Sequence, residues 1–175
     1  MAKKIILLRG VTPTGKNRIP KMSDLVEILE AVGFLSVKTY IQSGNIILNT
    51  DLTDEAIKKL VHNTILKQIG ADLSIIIKEP EQLARAVKEN PFGDNYDVSR
   101  IHLVFTNDNL NADILESLAQ TDFGDEEFYV GRQCLYLYLP REAKKKRLNT
   151  NFLEKKLGIK ATMRKLRVTG KLSKM

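Results

Sequence analysis

The stretch that decides the fold is Val37-Lys38-Thr39-Tyr40-Ile41-Gln42-Ser43-Gly44-Asn45-Ile46-Ile47-Leu48. Apolar residues alternate with polar or half-polar ones up to Gln42, which is typical of a strand with one buried face. Ser43-Gly44-Asn45 is a turn signal, and a short apolar run follows it as the return strand. The stretch therefore predicts an antiparallel hairpin.

One strand and one helix flank this hairpin on each side. Ser23 and Thr53 suit the first position of a helix, because their hydroxyls can accept a backbone N–H bond. The resulting order of strand, helix, strand, strand, helix, strand is the ferredoxin-like βαββαβ pattern with an antiparallel sheet. The predicted first and last strands of this half are 5–8 and 73–77, and the predicted helices run from Ser23 to Gly33 and from Thr53 to Gly70.

The second half of the chain predicts the same order of elements. We therefore expect an α+β protein of two ferredoxin-like halves, with a connecting helix and a C-terminal helix. The expected domains are an N-terminal lobe over 1–78, a connecting helix and linker over 79–98, and a C-terminal lobe over 99–175. Predicted strands are 100–106, 128–130, 134–139 and 160–162, and predicted helices are 81–88, 111–120, 151–157 and 164–174.

Charge is distributed unevenly along the 175 residues, whose formal net charge is +7. The segment 140–175 has 13 Lys or Arg and two acidic residues, whereas 1–139 has 15 basic and 19 acidic residues. A basic segment of this kind favours an anionic partner, although solvated helix faces would give the same composition. The single cysteine excludes an intrachain disulfide and suits the cytoplasm. No apolar run approaches the roughly 20 residues of a membrane helix.

The best candidate site is the loop after the first strand, together with the turn of the hairpin. This loop carries only positive charge until the first helix, and its glycines permit close backbone approach to a ligand. Cationic donors and neutral amides can together hold a phosphate or a carboxylate. The alternative is a loop that is fixed by its own hydrogen bonds. The candidate ligand-binding residues are Arg9, Gly10, Gly15, Lys16, Asn17, Arg18 and Lys21 from the loop, and Gln42, Ser43, Gly44 and Asn45 from the turn.

The segment from Gly10 to Lys16 matches the G-x-x-x-x-G-K pattern of a Walker A loop. Asn17 replaces the Ser or Thr that would bind magnesium, and Pro20 stands where the helix of such a loop should be under way. These departures argue against a nucleotide triphosphatase.

Other reactive residues give no metal-ligand spacing, and we expect neither a metal nor a cofactor. His62 is interpreted as a surface residue, and His102 and Cys134 as strand residues. The acidic run Asp122, Asp125, Glu126, Glu127 is either a weak cation site or a solvated loop.

Three functions stay open, and no catalytic residue is assigned. The first is binding of an anionic ligand, including nucleic acid, with Tyr40, Tyr136 and Tyr138 as candidates for base stacking and the basic segment from Arg141 to Arg147 for phosphate contacts. The second is an enzyme acting on a small phosphorylated or carboxylated metabolite between the lobes, with His102 as its base. The third is a protein-interaction module that uses an exposed sheet face or edge.

The chain resembles domain-of-unknown-function family 1697, whose members are mostly bacterial. The resemblance rests first on Leu7-Leu8-Arg9-Gly10, Gly15-Lys16-Asn17, Lys21-Met22 and Tyr40-Ile41-Gln42-Ser43-Gly44-Asn45. Softer matches are Ser99-Arg100-Ile101-His102, Gly131-Arg132, Leu135-Tyr136-Leu137, Ala161-Thr162-Met163-Arg164 and Lys171-Leu172. The chain departs at Thr12-Pro13-Thr14, where the family usually has Asn-Val-Gly, and at Leu166, where a Trp is common. The resemblance implies two ferredoxin-like halves and no established activity.

Overall fold

The computed structural model describes residues 1–175 and contains two four-stranded antiparallel sheets with six α-helices. The chain divides into two compact units, Met1–Pro80 with Met175 and Glu81–Lys174. The strands are β1 Ala2–Arg9, β2 Leu35–Tyr40, β3 Asn45–Thr50, β4 Ser74–Lys78, β5 Ile101–Thr106, β6 Glu127–Val130, β7 Leu135–Tyr138 and β8 Ala161–Lys165. The helices are α1 Met22–Ala31, α2 Asp54–Ile69, α3 Pro80–Lys88, α4 Ala112–Gln120, α5 Thr150–Leu157 and α6 Leu166–Lys174.

In the first unit the strand order is β2-β3-β1-β4, so β1 lies between β3 and β4. Its antiparallel register pairs Leu7 with Asn45 and Arg9 with Ser74. The C-terminal end of β1 therefore lies beside the N-terminal ends of β3 and β4. We call this the site end of the first sheet. The loops that follow β1, precede β3 and precede β4 all begin or end there.

The second unit repeats this arrangement, with strand order β6-β7-β5-β8. Both orders place the first strand of the unit between its third and fourth strands, which is the ferredoxin-like arrangement. The predicted α+β fold of two similar halves is thus confirmed. Each unit has its own apolar core, because alternate strand residues and one helix face are buried together.

The predicted caps of the two helices in the first unit have different outcomes. Thr53 caps α2 as predicted, and its hydroxyl accepts a hydrogen bond from the Ala56 N–H at 3.3 Å. The prediction for Ser23 is wrong, because α1 begins at Met22 and its N-cap position is occupied by Lys21, whose side chain makes no capping bond. A lysine side chain has no acceptor atom, so it cannot cap a helix N-terminus.

The end of the chain also differs from the prediction. The last strand extends from Ala161 to Lys165, and α6 begins only at Leu166. Five residues of β8 pair with β5, from His102–Lys165 to Thr106–Ala161, and this pairing prolongs the strand.

No helix of the structure is both long enough and apolar enough to span a membrane.

Candidate functional site

The cationic loop and the hairpin turn meet at the site end of the first sheet. The Leu8 N–H donates a hydrogen bond to the Gly44 carbonyl at 2.9 Å, and the Gln42 side-chain amide donates to the Ile19 carbonyl at 3.2 Å. These bonds join the two segments at both ends of the loop. The sequence therefore predicted correctly that the two segments are neighbours.

Gly44 permits this close approach. Its φ is +82°, and a Cβ atom at this position would lie 2.9 Å from the Cβ of Leu8 and 3.0 Å from Cγ2 of Val11. Both distances are too short for two carbon atoms. Glycine thus satisfies a backbone requirement and a spatial requirement at once.

The loop itself is folded and anchored. The Thr12 N–H donates to the Asn17 carbonyl at 3.1 Å, and the Arg18 N–H donates to the Gly15 carbonyl at 3.3 Å. Ile19 is only 2% exposed and belongs to the apolar core. The loop conformation is therefore fixed by residues other than its lysines.

The cationic side chains of the loop point to solvent. Lys16, Arg18 and Lys21 are exposed, and none of them forms an ion pair within the molecule. Arg9 is half-buried at the end of β1, where it is paired with Ser74. Three positive charges thus lie close in sequence on one anchored loop without a carboxylate partner.

The neutral amides of the candidate site are engaged inside the protein. Asn45 is fully buried, and its side chain donates to the Tyr40 carbonyl at 3.0 Å and contacts the Ser43 hydroxyl at 2.9 Å. The side-chain oxygen of Asn17 accepts a bond from the Asp72 N–H at 3.0 Å. Asn45 therefore shapes the turn, while Asn17 ties the loop to the segment before β4.

A histidine–aspartate pair lies next to this tie, and sequence reasoning missed it. Nε2 of His62, on α2, lies 2.8 Å from the Asp72 carboxylate. The hydrogen bond to Asp72 raises the pKa of His62 above its ordinary value of 6.5. Asp72 comes just before β4, which pairs with β1. This pairing could have shown from the predicted topology that Asp72 lies near the loop.

The two histidines of the chain are expected to titrate on opposite sides of pH 6.5. His62 should titrate above this value, and Asp72→Asn should lower its midpoint. Because its folded-state pKa is raised, its contribution to stability is present below pH 6.5 and is lost as the pH rises through the raised pKa. NMR titration of the imidazole protons measures both midpoints, and a His62 midpoint unchanged by Asp72→Asn would contradict the pairing.

His102 differs from His62 in its surroundings. It is 8% exposed in β5, and its Nδ1 lies 3.1 Å from the Arg100 carbonyl. Burial lowers its pKa below 6.5, so its contribution to stability is present above pH 6.5 and is lost as the pH falls through the lowered pKa. A buried imidazole bonded to the backbone is poorly placed to act as a base on a ligand.

The prediction that Tyr136 stacks on nucleic-acid bases is wrong. This side chain is fully buried, and its hydroxyl donates to the Ala86 carbonyl at 2.5 Å. Burial raises the pKa of its phenol. Tyr138 already packs on Tyr96 and Phe92, with ring centroids 4.7 and 5.8 Å apart. The alternating pattern identified the strand but did not show that both of its faces are covered.

The acidic run 122–127 does not surround a cation site. Glu126 is buried, and one of its carboxylate oxygens accepts the N–H groups of Arg147 and Leu148 at 2.7 and 2.9 Å. The Asp125 carboxylate lies 3.4 Å from the Lys144 N–H. No group of three or more His, Cys, Asp or Glu residues in the structure is arranged to hold a metal. The acidic run instead fixes the backbone of the basic segment.

The comparisons with known proteins support the fold. A solved structure from Streptococcus pneumoniae, described as the conserved bacterial protein SP0830, is similar with a TM-score of 0.73 at 18% identity. The match covers 98% of this chain and 97% of that one. No curated protein matches the chain. The model of the family described as protein of unknown function DUF1697 matches residues 1–136, and the chain belongs to this family.

Proposed function

We propose that this protein binds an anionic, phosphate-bearing ligand, nucleic acid included, through the cationic loop between β1 and α1. The contacts assigned to the ligand are Lys16, Arg18 and Lys21, and Gly10 and Gly15 allow the backbone to approach it. Gly44 holds the hairpin turn against the loop through its contacts with Leu8 and Val11. The observation that best supports this proposal is that these three cations are exposed and unpaired on a loop anchored by Ile19, Gln42 and Asn17. An anchored cationic loop loses little conformational entropy when it binds. We also propose a cytoplasmic location, where a reduced cysteine such as Cys134 is ordinary.

A filter-binding titration with single-stranded RNA and DNA tests this proposal. We expect the double variant Lys16→Gln, Lys21→Gln to bind about tenfold more weakly at low salt, because each lysine supplies a charged contact to phosphate. The logarithm of the association constant falls linearly with the logarithm of the salt concentration. The slope of this line should become shallower by about 1.4 in the double variant, since two phosphate contacts to a single strand are lost.

The matched control is the double variant Lys59→Gln, Lys67→Gln on α2. These lysines are exposed, unpaired and in the same unit, and the change in net charge is the same. Equal weakening in both double variants would contradict a site at the loop, because it would show that only net charge matters. Absence of binding at low salt would contradict the nucleic-acid form of the proposal.

A second candidate function is an enzyme that acts on a small phosphorylated or carboxylated metabolite. It is favoured by the His62–Asp72 pair, which is joined to the loop through the Asp72 N–H and Asn17. The hydrogen bond to Asp72 raises the pKa of His62 above its ordinary value, and histidine is the side chain that most often exchanges protons in catalysis. His62 is therefore a better candidate base than His102. A thermal-shift screen of metabolites tests this candidate, because a specific ligand raises the melting temperature by mass action.

A further inference from the structure

A second surface with ligand-binding features lies in the second unit, on the α4–α5 side. The two helices border a cleft of about 400 Å³. Ile114, Leu118 and Phe152 supply its apolar lining, and Arg147 and Lys156 supply positive charge. Asp113 is the carboxylate that also lines it. The cleft thus combines an aromatic ring with two cations.

Two phenylalanines and two cations are in contact where this cleft adjoins a second one, which Phe123 lines. The ring centroids of Phe123 and Phe152 are 6.0 Å apart in an edge-to-face arrangement. The guanidinium of Arg147 lies 5.1 Å from the Phe123 centroid, and Nζ of Lys156 lies 5.9 Å from the Phe152 centroid. These cation–π contacts hold the positive charges beside the aromatic surface without neutralising them.

The basic segment next to the cleft is held by its backbone. The carboxylates of Glu126 and Asp125 accept hydrogen bonds from backbone N–H groups of this segment, and the Arg147 guanidinium donates to the Asp122 backbone carbonyl at 3.4 Å. Lys144, Lys145 and Arg147 line the second cleft of about 360 Å³ together with Asp122 and Asp125, and this cleft shares Arg147 with the first. None of these cations forms an ion pair within the molecule.

The positive charge and the phenylalanine rings indicate which kind of ligand the clefts bind. Residues 141–160 contain eight basic and two acidic residues, and a small anion could contact only a few of these basic side chains. A linear polyanion can contact cations along both clefts, and planar groups on that polyanion can stack on a phenylalanine. Single-stranded nucleic acid has both properties.

We propose that the α4–α5 cleft and the second cleft beside it bind single-stranded nucleic acid, with a base against Phe152 and backbone phosphates on Arg147, Lys156 and Lys144. This inference goes beyond the cationic loop of the first unit and does not depend on it. It assigns the aromatic contact to Phe152 rather than to Tyr136, because Tyr136 is buried.

The test compares a fluorescent 12-residue oligouridylate with inorganic polyphosphate on the full chain. Phe152→Leu should weaken oligouridylate binding about fivefold or more and leave polyphosphate binding unchanged, because polyphosphate has no rings to stack. Arg147→Gln with Lys156→Gln should weaken both ligands, and the control Lys171→Gln on α6 should weaken neither appreciably. Equal effects of Phe152→Leu on both ligands, no effect on oligouridylate, or no binding at low salt would overturn the proposal.

Two further results separate this proposal from the function proposed above. One result is that the double variant Lys16→Gln, Lys21→Gln loses oligouridylate binding while the double variant Arg147→Gln, Lys156→Gln keeps it. This result would overturn the proposal for the cleft and support the proposal for the loop. The reverse result would support the cleft alone. If Phe152→Leu does not fold, photo-cross-linking of an oligonucleotide that contains 5-iodouridine to the unaltered chain tests whether the oligonucleotide binds at the cleft. A cross-linked peptide from 148–156 supports the cleft, and cross-links confined to other segments overturn it.

Discussion

Gly44→Ala is expected to lower the free energy of unfolding of the first unit by about 2–4 kcal/mol. A non-glycine residue at a φ of +82° costs about 1 kcal/mol, and the new methyl group would press on Leu8 and Val11, for which about 1–3 kcal/mol is typical. Urea unfolding followed by NMR signals of β1 and β3 measures this loss. Because the turn contacts the cationic loop, signals of residues 10–19 should also shift in the folded variant.

Gly70→Ala is the matched control for this change. Gly70 has a similar φ of +88°, but nothing lies within 4 Å of the position of its Cβ. It therefore reports the backbone cost without the steric contact, and we expect a loss of about 1 kcal/mol. Equal losses in Gly44→Ala and Gly70→Ala would show that the contact with Leu8 and Val11 is unimportant.

Gly131→Ala is expected to destabilise the second unit by about 3 kcal/mol, near the upper end for overpacking. The added methyl group would overlap the ring of Tyr136 and lie 2.9 Å from the Cys134 carbonyl oxygen. Tyr136 has no room to retreat, since it is fully buried and hydrogen-bonded to Ala86. Denaturation followed by tyrosine fluorescence measures the loss, because four of the five tyrosines lie in this unit and the chain has no tryptophan.

The control for this second change is Gly93→Ala. Nothing lies within 4 Å of the Cβ position of Gly93, and its backbone is outside the left-handed region. Alanine there should be neutral, or stabilising by about 0.4–1 kcal/mol through the unfolded state. A Gly131→Ala protein as stable as Gly93→Ala would contradict the packing described for Tyr136.

The hairpin shows how much of the fold was predictable. Alternation in Val37 to Tyr40 and the apolar run from Ile46 to Leu48 set the strands, and Gly44 set the turn. The strand was expected to include Ile41, but β2 ends at Tyr40 and Ile41 has a φ of +51°. A β-branched residue rarely adopts this conformation, so local propensity could not predict it.

The candidate site was predictable only where the strand order determines it. The cationic loop and the hairpin turn were expected to form one site, and the pairing of β1 with β3 brings these two segments into contact. The bond between Asn17 and Asp72 joins residues 55 apart in sequence, and no local pattern signals it. The same is true of Glu126, whose partners are backbone N–H groups about twenty residues later.

The measurement that tests the proposed site most directly is a titration of the ¹⁵N-labelled chain with pyrophosphate at low salt. The amide signals of glycines are well resolved, and Gly10, Gly15 and Gly44 lie on the two segments of the site. Gly33 precedes β2, which leads toward the site end from the opposite end of the first sheet, and serves as the internal reference. The account predicts saturable shifts at Gly10, Gly15 and Gly44 with Gly33 unmoved. Shifts at these three glycines no larger than that of Gly33 would contradict it.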